Sequence, residues 1–285
     1  MTDRLRLLWD FDDLDATEQR LRAVAAEAPD AFGRAEVLTQ LARVYGLRGN
    51  FDSGEQLLAE AEAIGGASDR CRARIDLERG RLVRSGGDPD AAYPLFESAF
   101  ETAKAAGELF IAGDAAHMAA IAGPPRERML AWTERGVELA ESGDESAAYW
   151  LGPLLNNLGW DQYEAGEYEA ALGSFERALA ARERDPANRA AIVIARYAVA
   201  KTLRALERPA EAASALEPTV AWTQADGKPD GWVHEELAEI YAALGREADA
   251  GEHSGLALSL LPDMDVSFVD DERRVARLRQ LAGDG

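Results

Sequence analysis

Residues 155–181 read LNNLGWDQYEAGEYEAALGSFERALAA, and this stretch decides the fold. Leu158 and Gly159 fall in one turn of a first helix. Gly166 ends that helix and Tyr168 opens a second. Ala171, Phe175 and Ala178 then follow at spacings of four and three, which places them on one face of the second helix. The small residues Gly159, Ala171 and Ala178 let two helices approach closely, and Phe175 fills the gap between them. A unit of this kind cannot bury its apolar face alone, so it predicts neighbours of its own kind.

The same marks recur along the chain. They are a small residue in a first helix, a turn residue seven positions on, and a small–large–small triad in a second helix. Ala42, Gly49, Gly54, Leu58 and Ala61 match, as do Gly80, Gly87, Ala92, Phe96 and Ala99. Ala200, Ala212, Leu216 and Thr219 match again, with Pro209 opening the second helix, where its missing N–H costs nothing. Ala238, Gly245, Ala250 and Ala257 make a further copy with Ser254 in the large slot. Between the second and fourth copies lies a degenerate one. His117 takes its small slot, Pro124 its turn, and Met129, Thr133 and Gly136 its second helix. The anchors Ala42, Gly80, His117, Gly159, Ala200 and Ala238 are 38, 37, 42, 41 and 38 residues apart. The excess over a period of about 34 falls between copies. Segments such as ESGDESAAYW, from Glu141, read there as longer second helices and polar loops.

These residues resemble the tetratricopeptide-repeat superfamily, in a bacterial form with long repeats, over roughly residues 35–261. The resemblance implies an all-α fold, a right-handed superhelical solenoid of antiparallel helix pairs. It would comprise about six repeats plus terminal capping helices. The approximate repeats are residues 35–68, 73–106, 110–143, 152–185, 193–226 and 231–264. Residues 1–34 form an N-terminal segment with a helix over Ala16–Ala28 that stops before Pro29. Residues 265–285 form a C-terminal cap and tail, whose helix carries acids first and arginines later, as the helix dipole favours. A polar cap is what a repeat array needs to close its last apolar face. Trp9 and Phe11 are expected to pack down as a lid, and the terminal Gly-Asp-Gly to fray.

Charge and cysteine content bound the function. Across 285 residues the formal net charge is −21, which disfavours nucleic acid and anionic membrane surfaces as partners. The single cysteine, Cys71, excludes an internal disulfide, reads as an unreactive thiol and points to a reducing cytoplasm. Neither a signal-peptide run nor a membrane span is expected. The three histidines lack metal-ligand spacing, and no phosphate loop, nucleophile elbow or dinucleotide fingerprint appears. A non-enzyme without cofactor or metal is therefore expected.

The resemblance further implies that first helices line a concave groove that binds peptides or partner domains. In that register Asn156, Asn157, Trp160, Tyr163, Tyr197, Lys201 and Arg204 form the candidate site. Asn157 holds the slot where many peptide-binding relatives place an asparagine on the ligand backbone. Aromatics, an amide and two cations would anchor an acidic peptide or a carboxylate. The competing reading packs Trp160 against the next repeat and pairs the cations with nearby acids. A secondary basic patch joins Arg43, Arg74, Arg81 and Arg84, opposite in sign to Glu235, Glu236 and Glu239. Reversing both charges, Lys201→Glu with Arg204→Glu, is expected to weaken binding without loss of helicity. Three functions follow: a scaffold or adaptor for a protein or peptide partner, a regulatory sensor of a short peptide or small ligand that signals to a partner, and a self-assembling structural protein whose solenoid ends and exposed aromatics such as Trp9 and Phe11 would mediate a homodimer.

Overall fold

The computed structural model describes residues 3–28, 30–123 and 125–283, and every regular element among them is helical. Pro29, the Pro124 turn and the last two residues lie outside the described residues. The chain divides into two compact units, Met1–Leu154 and Leu155–Gly285.

Unit one opens with a 3-10 helix, Arg4–Leu8, followed by α1 (Leu14–Ala26). Three helix pairs come next: α2 (Ala31–Leu47) with α3 (Phe51–Gly65), α4 (Asp69–Ser85) with α5 (Pro89–Ala105), and α6 (Leu109–Ala120) with α7 (Arg126–Ala140). A short α8 (Glu145–Ala148) leads to α9 (Leu151–Glu164), within which the division falls. Unit two continues with α10 (Tyr168–Arg182), α11 (Arg189–Ala205), α12 (Pro209–Ala225), α13 (Gly231–Ala243) and α14 (Glu247–Met264). It ends in α15 (Glu272–Ala282).

Local chemistry starts these helices where they start. The side chains of Asp30, Ser68, Asp88, Asn188, Asp230 and Asp271 each accept from a backbone N–H of the first turn that follows. Pro89 and Pro209 occupy the first helical position. The small–large pairing then brings partner helices together. A Cβ placed on Gly80 or on Gly159 would meet a ring carbon of Phe96 or Phe175 at 2.5 Å. Leu58, Phe96, Phe175 and Leu216, the large residues of their triads, are fully buried.

The degenerate third copy obtains its bulk from elsewhere. Trp150 packs over Gly113 and lies 5.5 Å from the His117 ring, while Leu154 enters beside Gly136. The segment from Glu141 is thus more than a polar loop, since it carries α8 and buries Ala147 and Trp150. In the fifth copy the turn position falls on Glu207, at φ 59°, where the neighbouring copies use glycine at φ 76° (Gly166) and 70° (Gly245).

Candidate functional site

In unit one, residues of three successive first helices share a face. Gln40 and Arg43 of α2, Arg74, Leu77 and Glu78 of α4, and Asp114 of α6 line a cavity of about 40 Å³. Its other wall includes Asp3, Arg6, Trp9 and Phe11, so the chain's own N-terminal segment lies across this face. Asp3 accepts from Arg74 and, at 3.4 Å, from Arg70. Arg4 donates to Glu36 at 3.0 Å. Leu5 is buried with Leu38 and Leu41. Arg6 donates to the Tyr149 hydroxyl, and its guanidinium sits 4.3 Å from the centre of that ring. The Trp9 indole N–H donates to Gln40 Oε1 at 3.0 Å, and Trp9 stacks on Phe11 with centroids 4.9 Å apart. The Arg43 guanidinium lies 5.2 Å from the Trp9 ring.

The expected basic patch is consumed inside the protein. Arg81 pairs with Glu78 at 2.7 Å and with Asp114, Arg74 pairs with Asp3, and Arg84 donates to the Ile121 carbonyl at 3.2 Å. Burial pulls the Arg43 guanidinium below its ordinary value. Burial opposes ionisation of Asp114, but Arg81 holds that carboxyl below the usual carboxylate range. Burial also pushes His117 down to about 4. The acidic trio is likewise answered, with Glu235 held by Arg274, Glu239 by Arg277 and Glu236 by Arg204. The opposite signs of the two clusters are thus largely offset by partners within the chain. In a low-dielectric interior, unpaired charges of either sign are too costly to leave.

Unit two gathers the other expected residues. Trp160 meets Phe175 edge-on at 5.0 Å, Tyr163 at 5.6 Å and Tyr197 at 6.4 Å. Trp160 is half-buried against the following helices, so packing claims much of its ring. Lys201 Nζ donates to the Tyr197 hydroxyl at 3.1 Å. Burial works against the Lys201 ammonium, yet Tyr197 and Glu236 raise its pKa above the ordinary value. Burial also raises the Tyr163 and Tyr197 hydroxyls. Arg204 grips Glu236 with two N–H groups, one of them at 3.0 Å. Asn156 and Asn157 are half-buried on α9, and the buried Asn156 Oδ1 finds no hydrogen-bond partner among the described residues. Lys201, Arg204, Glu235, Glu236, Glu239 and Arg274 border an open cleft of about 510 Å³ between α11, α13 and α15.

The sequence model of the tetratricopeptide repeat matches residues 154–184. A solved structure shares the fold over nearly the whole chain. The apo form of the quorum sensor NprR from B. thuringiensis superposes with a TM-score of 0.57 at 13% identity, covering 98% of this chain and 85% of that one. The chain thus carries a tetratricopeptide repeat and has the all-α repeat fold of proteins built from such units. A tetratricopeptide repeat protein from Parabacteroides merdae gives a TM-score of 0.47 at 15% identity, covering 98% of this chain and 95% of that one. No curated protein matches the sequence.

The feature that sequence reasoning missed is the docking of residues 3–11 onto first helices. Its one legible signal was the Trp9–Phe11 pair, expected to pack down. Their stacking within this segment leaves Trp9 half-buried, which weakens the expectation of a dimer built on both rings. Among the described residues no group of three or more His, Cys, Asp or Glu could hold a metal ion, and no helix is long and apolar enough to cross a membrane. Cys71 is fully buried, and burial raises its thiol pKa.

Proposed function

We propose that the chain is a non-enzymatic scaffold that holds a peptide or protein partner on the first-helix face of unit two, in a reducing cytoplasm. The observation that carries this reading is the cleft between α11, α13 and α15. Side chains of both signs line it, and Tyr197 stands beside Lys201 at its border. Paired guanidiniums and carboxylates keep hydrogen-bonding capacity toward solvent while holding fixed rotamers. A peptide laid along them meets preorganised donors and acceptors. Lys201 is the cation best placed to take a partner carboxylate, because its present partner is a neutral hydroxyl. The fold supports the reading, since proteins with tetratricopeptide repeats commonly serve as interaction scaffolds. Fold alone names no partner.

The test is to capture partners with the full chain and to measure each by fluorescence anisotropy. Lys201→Ala should weaken a genuine groove ligand by about tenfold, the worth of one charge-assisted hydrogen bond, with an unchanged melting temperature. A captured partner indifferent to Lys201→Ala and to Tyr197→Ala would exclude this face.

A further inference from the structure

Residues 3–11 are attached to unit one in the manner of a bound ligand. Within this stretch Leu5 is the one fully buried apolar side chain, whereas Leu7 is 82% and Phe11 52% exposed. Leu8 and Trp9 pack only partly against the same cluster, and the remaining attachments are polar: Asp3 to Arg70 and Arg74, Arg4 to Glu36, Arg6 to Tyr149, and the Trp9 indole to Gln40. Such contacts can be exchanged for equivalent ones from another chain without unpacking the helices beneath.

The face under the segment also has polar capacity that the segment does not use. Arg74 Nε, Glu78 Oε2 and Trp150 Nε1 are buried and have no hydrogen-bond partner among the described residues. All three residues line the cavity of about 40 Å³ beneath residues 3–11, and all are more than nine-tenths buried. That volume suffices for a small polar group, and two unused donors beside one unused acceptor define what it would need. Buried polar groups are normally satisfied, so residues 3–11 fill this face incompletely, and a partner segment that adds a small polar group there binds it more tightly than they do.

We propose that this face is a second peptide site, distinct from the unit-two cleft, and that residues 3–11 occupy it in cis. Its ligand is a peptide that presents a carboxylate to Arg70 and Arg74, an apolar side chain two positions later in the Leu5 pocket, and an indole six positions later against Gln40 and Arg43. A partner segment of this pattern displaces residues 3–11. The N-terminal segment thereby acts as a built-in competitor.

The probe is a fluorescently labelled peptide of residues 3–13, DRLRLLWDFDD, titrated into the full-length chain. In a chain carrying Asp3→Ala with Trp9→Ala the internal competitor is weakened, and the peptide should bind at least tenfold more tightly than to the unaltered chain. Adding Arg74→Met to that variant should abolish the gain. In the unaltered chain, excess peptide should speed deuterium uptake at the backbone amides of residues 4–9, a readout that needs no substitution. Equal affinity for both chains, or no acceleration of exchange at saturating peptide, overturns the proposal. The unit-two reading is measured separately through Lys201, so it can stand if this one falls.

Discussion

The Nδ1 atoms of His234 and His253 lie 2.8 Å apart, between α13 and α14. One ring must offer a lone pair to the other, so the pair cannot be doubly protonated without breaking this contact. Burial, followed by the neighbouring His253, pushes His234 down to about 4, and burial lowers His253 as well. An unfolded histidine titrates near 6.5, so the unfolded chain takes up protons first as the pH falls. The folded state therefore keeps this contribution above about pH 6.5 and loses it as the pH falls toward 4. Melting curves should show a loss of about 2 kcal/mol between pH 7 and pH 5 from His234 alone. The double variant His234→Gln, His253→Gln should flatten that limb. His117 in unit one contributes with the same sign.

Arg204 and Glu236 form the pair that limits how the unit-two cleft can be probed. Glu236 is 2% exposed, so removing its guanidinium partner leaves a buried carboxylate unanswered. Arg204→Met should cost roughly 2–3 kcal/mol in urea unfolding, below the usual cost of breaking a fully buried pair because Arg204 is partly exposed. Arg204→Glu would set two carboxylates together and cost more. The charge-reversing pair expected to spare the fold is therefore corrected to substitution of Lys201 alone.

Two glycines nearby in sequence should respond in opposite directions. A Cβ at Gly159 would meet the Phe175 ring, whereas nothing lies within 4 Å of one at Gly173. Gly159→Ala should destabilise by about 1–3 kcal/mol through overpacking. Gly173→Ala, on the exposed side of α10, should stabilise by up to about 1 kcal/mol. Thermal melts of the two variants in parallel check both signs.

Glu207 holds a left-handed conformation that suits glycine. Glu207→Gly should raise stability by about 1 kcal/mol, the cost an L side chain bears there. A lower melting temperature would mean that the side chain provides more than the backbone loses.

The repeat was legible because its signal is local. Gly159 with Phe175, and Gly80 with Phe96, lie sixteen residues apart, and the steric need for one small and one large residue is written within a single helix pair. The third copy was less legible because Trp150 supplies its bulk from beyond the repeat. The candidate residues of unit two were found as neighbours by register alone. Their electrostatic state was not, because nothing in the spacing of Arg204 reveals that Glu236 will neutralise it. Least visible was the attachment of residues 3–11, which depends on partners from Glu36 to Tyr149 and leaves no periodic trace.

The hydrogen bond from Arg6 to Tyr149 spans 143 residues of chain. At a synthesis rate of about 5–20 residues per second, roughly 7 to 30 s pass between the making of its two ends. For the last part of that interval, roughly 4 to 15 s while residues 75–149 are made, Gln40, Arg70 and Arg74 already exist but the full set of contacts that fastens the N-terminal segment does not. Each newly made copy thus passes through a timed window in which its unit-one face is incompletely covered. A ligand of the proposed unit-one site would meet, during that window, a competitor not yet fully fastened.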